Sequence, residues 1–242
     1  MIVLFSDFGL EGPYVGQLKA VLHRKAPDVP VVDLFADAPT FDVRAAAYLL
    51  AAYVGEFPVG TVFLAVVDPG VGGDRRAALV QADERWYVGP DNGLFNIVAR
   101  RARSVHWWDI VWRPARLSAS FHGRDLFAPV AAGLAVGDLP PVEEQNPAAR
   151  MDLGWPDDLA QVIYIDHYGN AMTGLRAAAI PRGATLQVAG HRLPRARTFS
   201  DVPPKEAIWY ENANGLAEIA VNRGRACDIL GITPGSRVVV HP

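Results

Sequence analysis

Three carboxylates in the first half of the chain sit where apolar runs stop or pass. Asp7 follows Ile2–Phe5, Asp33 lies inside Pro30–Phe35, and Asp68 follows Thr61–Val67. Ligands of parallel α/β sheets bind beyond the carboxyl ends of the strands. A carboxylate placed there can orient a water, assist a proton transfer or grip a pair of hydroxyls. Asp33 is flanked by Val31, Val32, Leu34 and Phe35 and reads as structural. Asp7 and Asp68 border Ser6-Asp7-Phe8-Gly9 and Asp68-Pro69-Gly70-Val71-Gly72, where glycine lets backbone approach a ligand closely. Arg75 and Arg76 follow the second segment, and His122 stands in Ser120-Phe121-His122-Gly123-Arg124-Asp125 just before a helix pattern. Gly89-Pro90-Asp91-Asn92-Gly93 and Asp166-His167-Tyr168-Gly169-Asn170 place further polar groups in tight turns. Taken singly, each of these motifs reads as well as a cap, a solvated turn or a structural histidine. Asp7, Asp68, Asp91 and His122 together allow an alternative, a hard metal ion in a phosphoesterase. The run Gly70-Val71-Gly72-Gly73-Asp74-Arg75 is no dinucleotide fingerprint, since Arg75 stands where the third glycine belongs, and no Gly-Lys-Ser/Thr triplet supplies a phosphate loop.

The elements that must hold these residues change character along the chain. The first part alternates strand and helix patterns. Ile2–Phe5, Pro30–Phe35 and Thr61–Val67 are strands, the last continuously apolar as if covered on both faces. Tyr14, Leu18, Val21, Leu22 and Lys25 share one helix face, and Asp42 caps a helix with Val43, Ala46, Ala47, Leu50, Ala51 and Val54 inward. Ala77–Gln81 and Arg85–Val88 form a hairpin around Ala82-Asp83-Glu84, and Gly93–Ala102 and Asp125–Val136 are helices. This alternation predicts an α/β domain over residues 1–136, a mostly parallel, Rossmann-like sheet flanked by helices. Residues 137–158, with Pro140, Pro141, Pro147 and Pro156, read as a linker. From 159 to 242 the segments are short and strand-like, separated by turns such as Ala189-Gly190-His191 and Asn214-Gly215, which predicts a small β-barrel domain.

Composition narrows the function classes. The 242 residues are 50% hydrophobic and 20% charged, enough apolar material for a sizeable core. With 23 basic and 26 acidic residues the net charge is −3, which argues against a general nucleic-acid binder. Cys227 is the only cysteine, so neither an internal disulfide nor a cysteine metal cluster forms. The apolar run Ala45–Val54 is too short to span a bilayer, and the Met1–Asp7 start does not read as a secretory leader, so a cytoplasmic protein without membrane contact is expected.

The motifs gain meaning in order. Phe5-Ser6-Asp7-Phe8-Gly9, Tyr14-Val15-Gly16 with Lys19, Ala65-Val66-Val67-Asp68-Pro69-Gly70-Val71-Gly72 with Arg75, Gly89-Pro90-Asp91-Asn92-Gly93-Leu94, Phe121-His122-Gly123-Arg124-Asp125 and Ile165-Asp166-His167-Tyr168-Gly169-Asn170 follow one another. In this the chain resembles the S-adenosylmethionine (SAM) hydroxide adenosyltransferases, relatives of the fluorinating and chlorinating enzymes that act on the same substrate. The resemblance runs from Phe5 to about Val240.

The resemblance implies hydrolysis of SAM to adenosine and L-methionine by water attacking ribose C5′, with no metal and no added cofactor. It implies an α/β domain and a β-barrel domain in a homotrimer, with active sites between the first domain of one subunit and the second domain of its neighbour. The family's water-activating set matches Asp68, Arg75 and His122: a carboxylate orients the water, a histidine takes its proton and a guanidinium offsets developing charge. Asp7 matches the ribose-binding carboxylate. Asp166 and Asn170 match the residues for the methionine amino group and the adenine, Phe199 the adenine-stacking aromatic, and Tyr210 and Asn212 the loop at the methionine end. Ala213 stands where the family usually has Ser, which puts one hydrogen bond in doubt. Glu218 falls on the strand that meets adenine and is given no catalytic role. Two other classes stay open: a halide-transferring relative making 5′-chloro-5′-deoxyadenosine, and a non-catalytic SAM or adenosine sensor.

Overall fold

A computed structural model describes all 242 residues, Met1–Pro242, and the chain divides into two compact units, Met1–Gly154 and Trp155–Pro242. In the first, β1 (Ile2–Ser6), α1 (Tyr14–Lys25), β2 (Val31–Phe35), α2 (Val43–Tyr53), β3 (Val62–Val66), β4 (Ala77–Ala82), β5 (Arg85–Pro90), α3 (Asn96–Arg101), β6 (Val105–Ile110), α4 (Ala128–Ala135) and β7 (Val142–Gln145) follow in order. Seven strands form one sheet, β2-β1-β3-β5-β4-β6-β7. Burial explains the continuous apolar runs. Every residue of β1 and β3 is buried. Ile2 and Leu4 of β1, with Val62, Leu64 and Val66 of β3, share a core with Leu18 and Leu22 of α1 and Val130 of α4. The alternate residues point the other way, where Phe5 meets Phe35 and Phe35 meets Tyr53 of α2 at ring distances of 5.5 and 5.1 Å. Asp42 caps α2 by accepting from the Ala45 N–H at 2.9 Å.

The sheet is mixed, not mostly parallel as expected. The pairs among β2, β1, β3 and β5 are parallel, while β5–β4, β4–β6 and β6–β7 are antiparallel. The cause is the β4–β5 hairpin. Asp83 and Glu84 both take positive φ, 46° and 63°, which reverses the chain tightly in mid-sheet. The proline-rich stretch expected as a linker holds β7, an edge strand on β6. Its Val-Glu-Glu-Gln sequence has no apolar period to betray it, and its two exposed glutamates are the charged side chains that keep an edge from pairing further. The helix expected from Asp125 begins instead as one wide π turn, Gly123–Phe127, before α4. No helix is long and apolar enough to cross a membrane.

Both sheets of the second unit are antiparallel. A four-stranded sheet runs β12 (Ala207–Glu211), β13 (Leu216–Val221), β9 (Ala171–Arg176), β8 (Leu159–Ile165), and a three-stranded sheet runs β11 (His191–Leu193), β10 (Thr185–Val188), β14 (Val238–His241). Single bridges join them at Gln161–Arg237 and Arg195–Trp209. Both sheets and α5 (Ala226–Leu230) feed one core, with Val162, Leu186, Trp209, Ile219, Leu230 and Val238 buried in it. The Trp209 indole donates to the Ala184 carbonyl at 3.2 Å, so its polar atom is satisfied.

Candidate active site

The first unit opens a cavity of about 340 Å³ beyond the ends of β1 and β3. Asp7, Phe8, Tyr14, Phe41, Asp68 and His122 are among the residues that line it. Arg75 lies behind this lining. Its Nε donates to both Asp68 oxygens, at 2.9 and 3.0 Å, and its Nη2 also reaches the Asp68 carboxylate. The pair is well buried, with side-chain exposures of 5% for Asp68 and 11% for Arg75. Breaking such a pair leaves a charge stranded in a poor solvent. The Phe127 ring lies 5.1 Å below the guanidinium.

The same Arg75 Nη2 lies 2.9 Å from His122 Nδ1. A guanidinium has donors and no acceptor, so Nδ1 must accept. The neutral ring then carries its proton on Nε2. Burial first, and the Arg75 charge second, hold the His122 pKa below its ordinary value. His122 is therefore a neutral ring that donates from Nε2. This does not fit the expectation that it takes a proton, because the nitrogen free to accept is already occupied by Arg75.

Local sequence explains how three distant segments meet. Gly72 has φ +82°, and a Cβ there would lie 2.4 Å from the Ala119 carbonyl oxygen, so only glycine lets the Asp68–Arg75 loop pack on the loop that carries His122. That second loop is closed by Asp125, which accepts from the Ser118 N–H at 2.9 Å and pairs with Arg124. The Gly89-Pro90-Asp91-Asn92-Gly93 turn acts on both partners of the ion pair. Asn92 Nδ2 donates to the Val67 carbonyl, one residue before Asp68, at 2.9 Å, and the Asp91 N–H donates to the Arg76 carbonyl, one residue after Arg75, at 3.0 Å. Gly89 permits the approach of β5 to β3, since a Cβ there would lie 2.0 Å from the Ala65 oxygen. Arg150, from the stretch expected as a linker, holds Asp91 at 3.1 Å and Asp109 at 2.7 Å. Asp7 accepts from the Phe41 N–H at 3.2 Å, and burial raises its pKa. Asp33 pairs with Lys19 at 2.5 Å, in keeping with a structural role.

The second unit has its own cavity, about 660 Å³, whose lining includes Asp166, Tyr168, Asn170, Phe199, Tyr210 and Glu218. Asp166 and Asn170 close one turn: the Asn170 N–H donates to Asp166 Oδ1 at 2.8 Å and its Nδ2 to Oδ2 at 3.0 Å. Phe199 packs edge-on to Tyr210, with ring centres 5.0 Å apart. The Tyr210 hydroxyl donates to Glu218 Oε1, and Asn212 Nδ2 donates to Glu218 Oε2 at 2.9 Å. Burial pushes both the Tyr210 and Glu218 pKa values up.

The expected residues thus fall in two groups. Asp7, Asp68 and His122 meet in the first cavity with Arg75 behind them. Asp166, Asn170, Phe199 and Tyr210 meet in the second, and Asn212 reaches it only through Glu218. The four residues of the phosphoesterase alternative do not assemble: Asp91 is turned to Arg150, and no group of three or more His, Cys, Asp or Glu is placed to hold a metal. Sequence reasoning missed Phe41, which stands at φ 61° beside Asp7, and nothing in one sequence marks it. It also undervalued Glu218, whose signal was a lone carboxylate inside the apolar strand Leu-Ala-Glu-Ile-Ala-Val.

Comparison with known proteins adds an independent line. Residues 2–144 match the SAM hydroxide adenosyltransferase N-terminal domain, and residues 160–239 match the corresponding C-terminal domain. The chain is 44% identical to an (R)-S-adenosyl-L-methionine hydrolase of Thermus thermophilus, over 98% of both chains. It is 41% identical to one of Salinispora arenicola, over 97% of this chain and 95% of the relative. A fluorinase of Nocardia brasiliensis is more distant, 23% identical over 92% of this chain and 90% of its own. Among solved structures, an uncharacterized conserved protein from Thermotoga maritima superposes with a TM-score of 0.87 at 30% identity, each chain covered completely.

Proposed function

The chain belongs to the SAM hydroxide adenosyltransferase family, and we propose that Asp68, Arg75 and His122 hold the attacking water in its reaction. It hydrolyses (R)-S-adenosyl-L-methionine to adenosine and L-methionine. The sulfonium carries three different carbon groups and a lone pair, so its configuration is part of the substrate. The observation that supports the water site is Arg75 bound at once to Asp68 and to His122 Nδ1 beside the cavity. Water donates one proton to Asp68 and accepts from His122 Nε2–H. One oxygen lone pair is left for in-line attack on C5′. The C5′–O bond forms as the C5′–S bond breaks, its electron pair leaves on a neutral thioether, and the surplus proton passes through Asp68 to solvent. Positive charge on sulfur disperses in the transition state, which a water-poor cavity favours.

Asp7 accepts from the ribose hydroxyls, while Asp166, Asn170, Phe199, Tyr210 and Asn212 take the adenine and methionine ends. The two sheets of the second unit, bridged at two seams, read as one small barrel. The assembly is a homotrimer in which the first unit of one subunit shares substrate with the second unit of its neighbour. Exposed Phe41 and Tyr14, 75% and 48% accessible at the mouth of the first cavity, support a covered rim. The chemistry needs no metal. Separated sulfur epimers incubated with the protein, followed by chromatography, test the reading. Adenosine and methionine from the (R) epimer, with EDTA present, are expected. Formation of 5′-chloro-5′-deoxyadenosine in chloride would overturn the choice of water, and activity lost to chelator would overturn the metal-free route. Light scattering of a monomer would overturn the trimer.

A further inference from the structure

Glu218 is the most deeply buried carboxylate of the second cavity, 3% exposed, on a strand whose other residues are apolar. It stands directly across from Tyr210 in the β12–β13 register, so the two side chains share one face. It receives the Tyr210 hydroxyl on one oxygen and Asn212 Nδ2 on the other. Asn212 cannot turn its amide around, because its Oδ1 already accepts from the Asn214 and Leu216 N–H groups, both at 3.0 Å. Glu218 therefore fixes two residues of the binding loop. A carboxylate still has lone pairs to spare after two such bonds. Asp166 lines the same cavity, and its charge acts on Glu218 in the same direction as burial, raising the pKa. Arg223 and Arg225 also line the cavity, but both are exposed, and Arg225 is turned to Asp228 and the His167 carbonyl. The buried part of the pocket is acidic.

We propose that Glu218 is a specificity-determining residue: it positions Tyr210 and Asn212 and adds the buried negative charge by which this pocket takes a cationic sulfonium in preference to the neutral thioether of the same shape. The inference rests on the substrate assigned above. The test compares the KM for SAM with the inhibition constant of S-adenosylhomocysteine, which lacks only the methyl group and its charge. Glu218→Gln keeps both contacts, its oxygen accepting from Asn212 and its amide donating to the Tyr210 oxygen; it removes the charge and turns the Tyr210 hydroxyl from donor to acceptor in that bond. It is expected to raise the KM for SAM about tenfold, about 1.4 kcal/mol, while leaving the inhibition constant of S-adenosylhomocysteine nearly unchanged. Glu218→Asp keeps the charge but draws it back by one methylene. It is expected to weaken both ligands alike and keep the preference. An unchanged ratio in Glu218→Gln overturns the proposal. If that variant does not fold, loss of the preference in Glu218→Asp overturns it instead. Wild-type protein assayed alongside separates this from the reading it rests on: no adenosine from SAM defeats the hydrolytic reading, whereas normal wild-type turnover with an unchanged ratio defeats only the role of Glu218.

Discussion

The two cavities are built on opposite plans. In the first unit, the polar cluster is an ion pair plus a neutral imidazole, drawn from positions 68, 75 and 122, and its hydrogen bonds are charge-assisted. In the second unit, hydroxyl and amide groups meet two carboxylates inside one turn, Asp166–Asn170, and one hairpin, Tyr210–Glu218. The first arrangement fixes an electrostatic field and leaves little freedom to adapt. The second offers shape, stacking and hydrogen-bond readout. On the reading proposed above, the Asp68–Arg75–His122 cluster serves chemistry and the second cavity recognition, with Asp7 adding a ribose contact to the first, so damage to the cluster should fall on kcat and damage to the second cavity on KM.

The sharpest way to break the contrast is Asp68→Asn. It keeps the side-chain volume but removes the charge that answers Arg75, and a loss in kcat of about 10²-fold or more is expected, with the KM for SAM within a few-fold. The more disruptive Asp68→Ala should lose at least as much. Full kcat in either variant removes Asp68 from the reaction. In the second cavity, Asp166→Asn deletes the charge expected to meet the methionine ammonium. KM should rise about tenfold with kcat nearly unchanged, the ordinary cost of unpairing one charge at a binding surface. A fall in kcat with KM unchanged would erase the distinction between the two cavities.

The same contrast explains what a single sequence reveals. Strands covered on both faces, such as Val62–Val66, and the Asp42 cap of α2 are legible because their causes are local. The Asp166–Asn170 turn is legible for the same reason. The direction of β4 within the sheet is not, because it depends on which edge of β5 the hairpin folds against. Nor is β7, whose burial pattern is that of a charged edge. Asp68 and His122 were legible as candidates, yet the role of the imidazole depends on a contact across 47 positions, Arg75 Nη2 to Nδ1, that no local pattern encodes. The clamp made by Asn92 was equally hidden: the motif was visible, its grip on the Val67 carbonyl was not.

Asn92 gives the next smaller test. Asn92→Asp replaces the donor that faces the Val67 carbonyl with an acceptor, which loosens the turn carrying Asp68 without touching substrate. A kcat lowered several-fold to about tenfold is expected, the scale of one hydrogen bond lost and one acceptor left opposed. KM should hold, since the second cavity is untouched. A matching rise in KM would mean that the turn supports binding rather than the alignment of Asp68 and Arg75.

The smallest effects lie in pH, where Asp7 and His122 pull stability in opposite directions within one cavity. The folded pKa of His122 is depressed, by burial and then by Arg75, so its neutral ring contributes stability that is present above the unfolded value near 6.5. That contribution is lost as pH falls through the depressed folded value. Asp7 has a raised pKa, chiefly from burial, so its contribution is complete below the unfolded value near 3.9 and is lost as pH rises through the raised one. As Asp7 ionises, its charge therefore destabilises the fold, and on the reading proposed above that charge serves the ribose. Thermal unfolding from pH 4 to 8 should show His122→Asn flattening the fall below pH 6.5, and Asp7→Asn raising the melting temperature at pH 7 while impairing activity. Turnover supplies the matching kinetic test. A histidine acting as proton acceptor with an ordinary pKa would cut kcat as pH drops through 6.5. A ring already neutral, with Nδ1 held by Arg75, leaves kcat level through that point, and kcat falls only at lower pH, where the ring takes up a proton and loses its bond from Arg75. A kcat that halves near pH 6.5 in wild-type protein, and loses that dependence in His122→Asn, would return the imidazole to the role of base.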